Sequence, residues 1–183
     1  MTPRAKWPSG VEKTLALPKQ PLAANLIASA RRFAQRTAII FHGAHYDYQT
    51  LLDRVEKLSG YFQHGQGLKP GDRVLLFMQN SPQFIISYYA ILHAGGVVVP
   101  VNPMSRSAEL DYICSDTGAK IICLGAELCE VVTPLLRAGK FDCALVADYA
   151  QMADPNYDLA LPKALQKRDL APLAAKDFTL WHS

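Results

Sequence analysis

Several patterns that mark common protein classes are missing from this sequence. No stretch approaches the ~18 apolar residues of a membrane-spanning helix, and the opening MTPRAKWPSGVEKT has no apolar segment of a secretory signal. The 19 lysines and arginines are scattered, so the net charge of +3 builds no basic face for nucleic acid. We therefore expect a cytoplasmic protein that does not bind nucleic acid.

The cysteines lack the spacing of metal or redox sites. Cys114, Cys123, Cys129 and Cys143 form no C-x-x-C pair, and no histidine follows at zinc-finger spacing. We predict buried or half-buried free thiols in a reducing compartment. With 183 residues, the chain is long enough to bury a core without disulfides or metal.

Nucleotide-binding and hydrolase motifs are also missing. The phrase GQGLKPG at 65–71 follows a predicted helix and is one residue too long for a dinucleotide fingerprint. Gly139-Lys140 fails as a P-loop because Pro134 stands where glycine is needed, and there is no G-x-S-x-G elbow. The residues alone predict no catalytic group and no metal ligand.

What the sequence does contain is an alternation of apolar runs and helical patterns. The runs RVLLFMQ, VVVPV, KIICLG and CALVAD show no polar alternation, which predicts parallel strands buried on both faces. TAIIFHGAHYDYQTLL predicts a β-hairpin around a His-Gly-Ala-His turn. The fold class expected is α/β, a largely parallel doubly wound sheet with helices on both faces, preceded by a β-hairpin.

Helices are predicted before and between these strands. Ser81-Pro82 supplies an N-cap and a proline at the first helical position, and Gly95 or Gly96 ends that helix. Pro134 should distort or shorten the last helix. The predicted helices are listed here with the apolar or inward residues that indicate them: a first helix with Leu22, Leu26, Ala30 and Phe33, a helix over about 49–64 with Leu51, Val55, Leu58 and Phe62, the helix after Ser81 with Phe84, Tyr88, Ile91 and Leu92, a helix over about 106–117 with Leu110, Ile113 and Thr117, and a helix over about 126–137 with Leu128, Val131, Val132 and Leu135.

Composition divides the chain into three parts. Residues 1–20 are interpreted as an irregular arm because they contain Pro3, Pro8 and Pro18. Residues 21–148 form the α/β subdomain. Residues 149–183 are expected to be a weakly ordered tail with faint helical spacing from Pro162 to Lys167.

The stretch LHAGGVVVPVNP offers one candidate binding residue. The valines predict an interior strand that Pro100 ends, because proline has no N–H for the ladder. In open α/β sheets ligands collect beyond the carboxyl ends of strands, where Asn102 would lie. Asn102 is therefore either a ligand-binding residue or part of a plain Asn-Pro turn.

The order of these segments resembles the N-terminal part of AMP-forming acyl-CoA synthetases, within the adenylate-forming superfamily. The phrases that carry the likeness are YDYQTLLDRV, LKPGDRV, AILHAGGVVVPVNP and AELDYICSDTGAKII, in unchanged order between about Leu22 and Asp148. The arm WPSGV and the spacing before the hairpin are most similar to the long- and medium-chain fatty-acid CoA ligase branch. The resemblance implies part of the large N-terminal domain of that fold.

The resemblance also implies a reaction for a longer parent enzyme, an AMP-forming acid–thiol ligase. A fatty acid or other carboxylate would react with ATP, assisted by Mg²⁺, to give acyl-AMP, and CoA would then displace AMP. The family's ATP-gripping loop, of the type T-S-G-T-T-G-x-P-K, normally begins soon after the position of Ser183. Residues 1–183 are thus expected to be an inactive segment that binds none of these molecules by itself, and the tail should lead to the absent ATP-binding part.

One CoA contact is implied by the same resemblance. Some family members use a basic residue near the Asn-Pro turn to touch CoA phosphates, but Met104 directly follows Pro103 here. Arg106 is the nearest cation and the candidate contact; the alternative is a solvated side chain. Arg106 also replaces a frequent capping threonine, which predicts a broken capping box with Glu109 and opposes the helix dipole by ~0.3–1 kcal/mol.

Other hypotheses remain open at this point. The chain could be a stand-alone, non-catalytic binding or assembly module on a partial ligase fold, and an unrelated nucleotide-binding oxidoreductase is disfavoured by the misplaced glycines. A segment should also expose an apolar face, which predicts self-association. Peripheral membrane contact is expected of the parent enzyme.

Overall fold

The computed structural model describes residues 8, 10–14, 17–160, 162–166, 168–170 and 178–181. Pro3, Lys167, His182 and Ser183 lie outside these residues, as do Trp7 and Ser9 of the phrase WPSGV. The helices and strands follow in the order α1 Ala23–Phe33, β1 Thr37–Phe41, β2 Ala44–Asp47, α2 Tyr48–Gly60, β3 Arg73–Phe77, α3 Pro82–His93, β4 Val97–Pro100, α4 Ser107–Thr117, β5 Ile121–Gly125, α5 Cys129–Arg137, β6 Cys143–Ala147 and β7 Thr179–Leu180. Short irregular helices are the π-helical segment Tyr61–Gly65 and the 3₁₀ segments Ala126–Leu128, Tyr149–Met152 and Lys163–Leu165.

The strands form two sheets, which confirms the predicted fold class. β1 and β2 pair antiparallel as a hairpin. The other five strands are all parallel, in the order β4-β3-β5-β6-β7. No helix within the described residues is both long and apolar enough to cross a membrane.

The parallel sheet separates two hydrophobic cores. Alternate residues of β3 face opposite sides: Val74 and Leu76 contact the core under α2 and α3, whereas Leu75 and Phe77 contact the core under α4 and α5. Both faces are therefore covered, which explains why β3 after Arg73, β5 and β6 contain no charged or hydroxyl side chain. All four cysteines are buried free thiols, as predicted.

The position of β4 differs from the prediction. The valine run predicted an interior strand, but β4 is the edge strand of the sheet as described, and Val97 is 45% exposed. Apolar composition reports that helices cover the two faces of a strand; it does not report which strand lies beside it in the sheet. Pro100 fits an edge position because it has no N–H to donate, and it is the last β4 residue paired with β3.

The inner faces of α3 and α4 differ most from those predicted, and Leu22, which precedes α1, is exposed. In α3 the polar Gln83 and Ser87 are buried beside Ile86 and Ala90, whereas Phe84 and Tyr88 are only half-buried and stack on each other. In α4 Cys114 is buried with Leu110, and Ile113 is half-buried. The periodicity of apolar residues predicted the positions of these helices correctly. The buried side was assigned wrongly because the larger apolar side chains were assumed to face the core.

The predicted caps and turns are largely confirmed. The Ser81 hydroxyl accepts from Phe84 N at 3.1 Å with Pro82 at the first position of α3, and Gly95 has the left-handed φ of +85°. The hairpin turn is shorter than predicted: it consists of His42 and Gly43, both with positive φ, as in a type I′ turn.

The regions around Pro134 and after residue 148 show two further differences. The helix predicted over 126–137 begins with a 3₁₀ turn, and α5 then continues through Pro134 to Arg137, while the Thr133 hydroxyl donates to Cys129 O at 2.7 Å. No strand was predicted after residue 148, yet β7 pairs with β6. A two-residue strand is too short to show any periodicity in the sequence.

Candidate functional site

The order in which strands are added to the sheet reverses at β3 and β5, because β4 lies on one side of β3 and β5 lies on the other. The connection after β3 passes through α3 on one face of the sheet, and the connections after β4 and β5 pass through α4 and α5 on the other face. Ligands of open α/β sheets bind in the crevice outside the carboxyl ends of the strands at such a switch point. A ligand site is therefore expected among the residues that follow β3 and β5.

That crevice is filled by Tyr149, which follows β6. Its hydroxyl accepts from the backbone N–H of Gln79 at 2.8 Å and donates to Glu127 Oε1 at 3.0 Å, and its side chain is 1% exposed. Gly125, at the end of β5, makes room for this arrangement, because a Cβ there would overlap the Tyr149 hydroxyl and the Glu127 carboxyl. One tyrosine thus joins the carboxyl ends of three parallel strands.

Buried polar groups continue this network toward α3. Gln83 donates from Nε2 to Asp148 O at 2.9 Å, and both residues are buried. Asp148 Oδ1 accepts from Ala150 N at 3.1 Å, which caps the 3₁₀ turn after β6. Sequence analysis missed this network. The available signals were a glycine at the end of one apolar run and an Asp-Tyr pair directly after another.

Burial controls the ionisation of the groups in the crevice. It raises the pKa of Glu127 above the ordinary 4.5, although the Glu127 backbone N–H and the Tyr149 hydroxyl partly offset this. Burial also raises the pKa of Tyr149, so this phenol stays protonated as the donor to Glu127. The network is therefore built for hydrogen bonding inside the protein.

Stability should fall as pH rises because of Glu127. A carboxyl whose pKa is raised by folding stabilises the native state fully below its unfolded pKa, near 4.5, and this contribution is lost as pH rises through the folded pKa. The free energy of unfolding of the unchanged chain should therefore fall between pH 4.5 and pH 7.5 by more than that of Glu127→Gln, which has no carboxyl at this position. Urea titrations across this range measure the difference.

Glu130→Gln is the matched control, since Glu130 lies close by in sequence and is exposed. Relative to the unchanged chain, the Glu127→Gln profile should rise with pH beyond whatever change the Glu130→Gln profile shows over the same range. Tyr149, Asp148 and Arg168 also act on the Glu127 carboxyl, and both variants leave them in place. Parallel pH profiles for Glu127→Gln and the unchanged chain would show that Glu127 does not titrate differently on folding.

Asn102 lies in an exposed turn after the edge strand β4. Its Oδ1 accepts from Met104 N at 3.0 Å, and its backbone carbonyl accepts from Ser105 N at 2.8 Å. The side chain is therefore used to shape the Asn-Pro turn. A contact between Asn102 and a ligand stays a prediction.

Arg106 is the N-cap residue of α4, and half of its capping box survives. Its backbone N–H donates to Glu109 Oε2 at 2.8 Å, so the capping box that the sequence predicts to be broken keeps this one bond. The other half is missing because a guanidinium has no acceptor. The Arg106 side chain is exposed, and no ion pair to it occurs in the part of the chain that the structure describes.

These residues do not assemble into a reaction centre. Asn102 and Arg106 share one exposed turn, and no hydrogen bond among the described residues links that turn to Tyr149 or Glu127. Within the same residues, no group of three or more His, Cys, Asp or Glu side chains could hold a metal ion. The carboxyl edge offers a buried hydrogen-bond network and one exposed turn that carries a cation.

Comparison with known proteins gives a consistent set of relatives. The family model described as AMP-binding enzyme matches residues 26–177. The long-chain-fatty-acid–CoA ligase of Bacillus subtilis (strain 168) is 39% identical over 118 residues, covering 64% of this chain and 21% of that protein. The corresponding ligase of Salmonella typhimurium is 38% identical over 94 residues, covering 51% of this chain and 17% of that protein.

A solved structure shows the same arrangement of elements. The crystal structure of a long-chain-fatty-acid-CoA ligase from Archaeoglobus fulgidus aligns with a TM-score of 0.67 at 26% identity, covering 73% of this chain and 28% of that chain. The chain spans about a fifth of the length of the curated relatives it matches.

Proposed function

Because the chain belongs to the family of AMP-binding enzymes, we propose that it is the N-terminal portion of an ATP-dependent fatty acyl-CoA ligase. The parent enzyme would convert a carboxylate and ATP to acyl-AMP and pyrophosphate, and then transfer the acyl group to CoA. The proposal draws on the family match and on the likeness to long-chain-fatty-acid–CoA ligases of several bacteria.

The two steps follow from the chemistry of a carboxylate. A free carboxylate is a poor acyl donor because its leaving group would be oxide. Attack of a carboxylate oxygen on the α-phosphate of ATP expels pyrophosphate and makes AMP the leaving group. The CoA sulfur then forms the thioester bond as the bond to AMP breaks.

In this proposal, residues 1–183 contribute a structural part of the enzyme, the parallel sheet and its covering helices, and are inactive alone. The single observation that carries this role is Tyr149, whose hydroxyl fills the crevice at the switch point where a ligand would otherwise bind. Mg²⁺ would neutralise phosphate charge in the parent. We assign it no ligand among the described residues, which offer no suitable cluster.

The codons that follow Ser183 test the proposal. We expect them to encode a Ser/Thr/Gly-rich loop able to hold the phosphates of ATP, so that residues 149–183 lead directly to the ATP-binding part. An in-frame stop codon directly after Ser183 would contradict this and favour a stand-alone binding or assembly module.

We further propose that Arg106 contacts a phosphate of CoA in the parent enzyme, with Asn102 shaping the turn that presents it. The support is an exposed guanidinium at the carboxyl edge, without an ion pair in the described part of the chain. In the full-length enzyme, Arg106→Gln should raise KM for CoA about 3- to 10-fold, in keeping with one charge-assisted contact. ATP–pyrophosphate exchange, which needs no CoA, should not change.

Arg137→Gln is the control for the Arg106 experiment, because Arg137 is also an exposed arginine but lies at the end of α5. It should leave KM for CoA unaltered. Equal KM values for the unchanged enzyme and Arg106→Gln would mean that Arg106 is only a solvated side chain.

Two broader features of the parent and one of residues 1–183 are also proposals. We place it in the cytoplasm, with peripheral contact to a membrane where long-chain substrates dissolve. We propose that residues 1–183 alone self-associate through apolar surface. The exposed Ile40 of the hairpin and Val97 of the edge strand support this, since unpaired strands and apolar patches promote association.

A further inference from the structure

A groove lies between the C-terminal half of α2 and the short strand β7, away from the Tyr149 network. It encloses about 370 Å³, within the ~300–1,000 Å³ range of small-molecule sites. Its floor and walls are apolar or aromatic, formed by Leu58, Tyr61, Leu145 and Trp181. Leu58 and Leu145 also belong to the core under α2 and α3, so the groove opens directly onto packed hydrophobic side chains.

Two cations line the rim of this groove, and no acidic residue lines it among the residues that the structure describes. Arg54 is half-buried, with its guanidinium 5.4 Å from the Tyr46 ring and Nη1 3.0 Å from Met152 Sδ, a weak acceptor. Lys57 is exposed, and Asp53, four residues earlier on α2, accepts instead from Gln49 at 2.8 Å. Neither cation forms an ion pair within the described residues.

The end of α2 is distorted where it meets the groove. The helix widens into the π-helical segment Tyr61–Gly65, a feature that often occurs at functional sites. The Tyr61 hydroxyl accepts from Gln66 Nε2 at 2.8 Å and also hydrogen-bonds the Thr179 side chain. The tyrosine ring is thereby fixed as one wall of the groove, which Trp181 also lines.

We propose that this groove binds an anionic amphiphile, with a carboxylate or phosphate head on Arg54 and Lys57 and an aliphatic tail along Leu58, Tyr61 and Trp181. Arg54 has donors for which a charged oxygen is a far better acceptor than a thioether. Burial of the tail against aromatic and aliphatic carbon would supply the hydrophobic part of the affinity. The site is separate from the ligase reaction proposed above and does not depend on it.

Trp181 provides the measurement. In a Trp7→Phe background, where Trp181 is the remaining tryptophan, we titrate residues 1–183 with dodecanoate, dodecyl phosphate, dodecanol and inorganic phosphate below micellar concentrations. The two charged amphiphiles should shift Trp181 emission saturably. Their relative affinities identify the preferred head group. Titrations at several protein concentrations separate binding from self-association.

The matched pair of variants is Lys57→Gln and Lys69→Gln. Lys69 is also exposed but lies in the turn before β3, outside the groove. Lys57→Gln should weaken both charged amphiphiles about tenfold, and Lys69→Gln should leave them unchanged. Three results would each overturn the site: no saturable shift, equal binding of dodecanol or inorganic phosphate, or equal effects of the two variants. Because the Lys57 side chain is exposed on the surface of α2, its replacement by glutamine should leave the fold intact.

Discussion

Residues 1–183 mixed with ATP, Mg²⁺, dodecanoate and labelled pyrophosphate should return no label to ATP above the protein-free background. Activation of a carboxylate needs preorganised donors around the phosphate, and removal of even one such donor typically costs ~10²–10³ in rate. The crevice where the strands could present donors is filled by Tyr149. We therefore expect no measurable ATP–pyrophosphate exchange by residues 1–183.

The positive control is a longer chain from the same gene that includes the residues predicted to hold ATP. Under identical conditions it should exchange pyrophosphate in a fatty-acid-dependent manner. Exchange by residues 1–183 that scales with their concentration, and that follows them through repeated chromatography, would refute the proposed division between structural part and reaction centre.

The architecture was accessible from the sequence because its signals are local. Each of the apolar runs in β3, β5 and β6 reports a strand covered on both faces, and a serine–proline pair marks the start of α3. Strand order is not local. In the described sheet β4 pairs only with β3, and its valines contain no signal of how many strands lie beside it. The predicted interior position was therefore wrong.

The Tyr149 network was inaccessible for the same physical reason. Its hydrogen bonds join residues 70 and 22 positions apart in the chain. These residues become neighbours only after parallel strands align, and a single sequence contains no record of that alignment. Asn102 and Arg106 are candidates in the sequence because they lie within a few residues of a proline turn, and a ligand contact by either stays a prediction.

Gly125→Ala should destabilise the fold by about 2–4 kcal/mol, combining overpacking with loss of buried hydrogen bonds. A Cβ at this position would overlap the Tyr149 hydroxyl and the Glu127 carboxyl, and Tyr149 is too buried to move into solvent. For a chain of this size, the melting temperature should fall by roughly 5–15 °C. Urea titration and thermal melting measure the two quantities.

Two further variants separate this overlap from a general effect of adding a methyl group. Gly60 lies in α2 at φ −59°, and a Cβ added there would meet no neighbouring atom within 4 Å, so Gly60→Ala should stabilise the protein by ~0.5–1 kcal/mol. Tyr149→Phe removes the hydroxyl that the new methyl group would meet. The double variant Gly125→Ala/Tyr149→Phe should therefore lose less stability than the sum of the two single variants. If the two single effects simply add, the methyl group introduced by Gly125→Ala does not act through the Tyr149 hydroxyl. The overlap expected between these two groups would then be absent, and the crevice would have space for the methyl group.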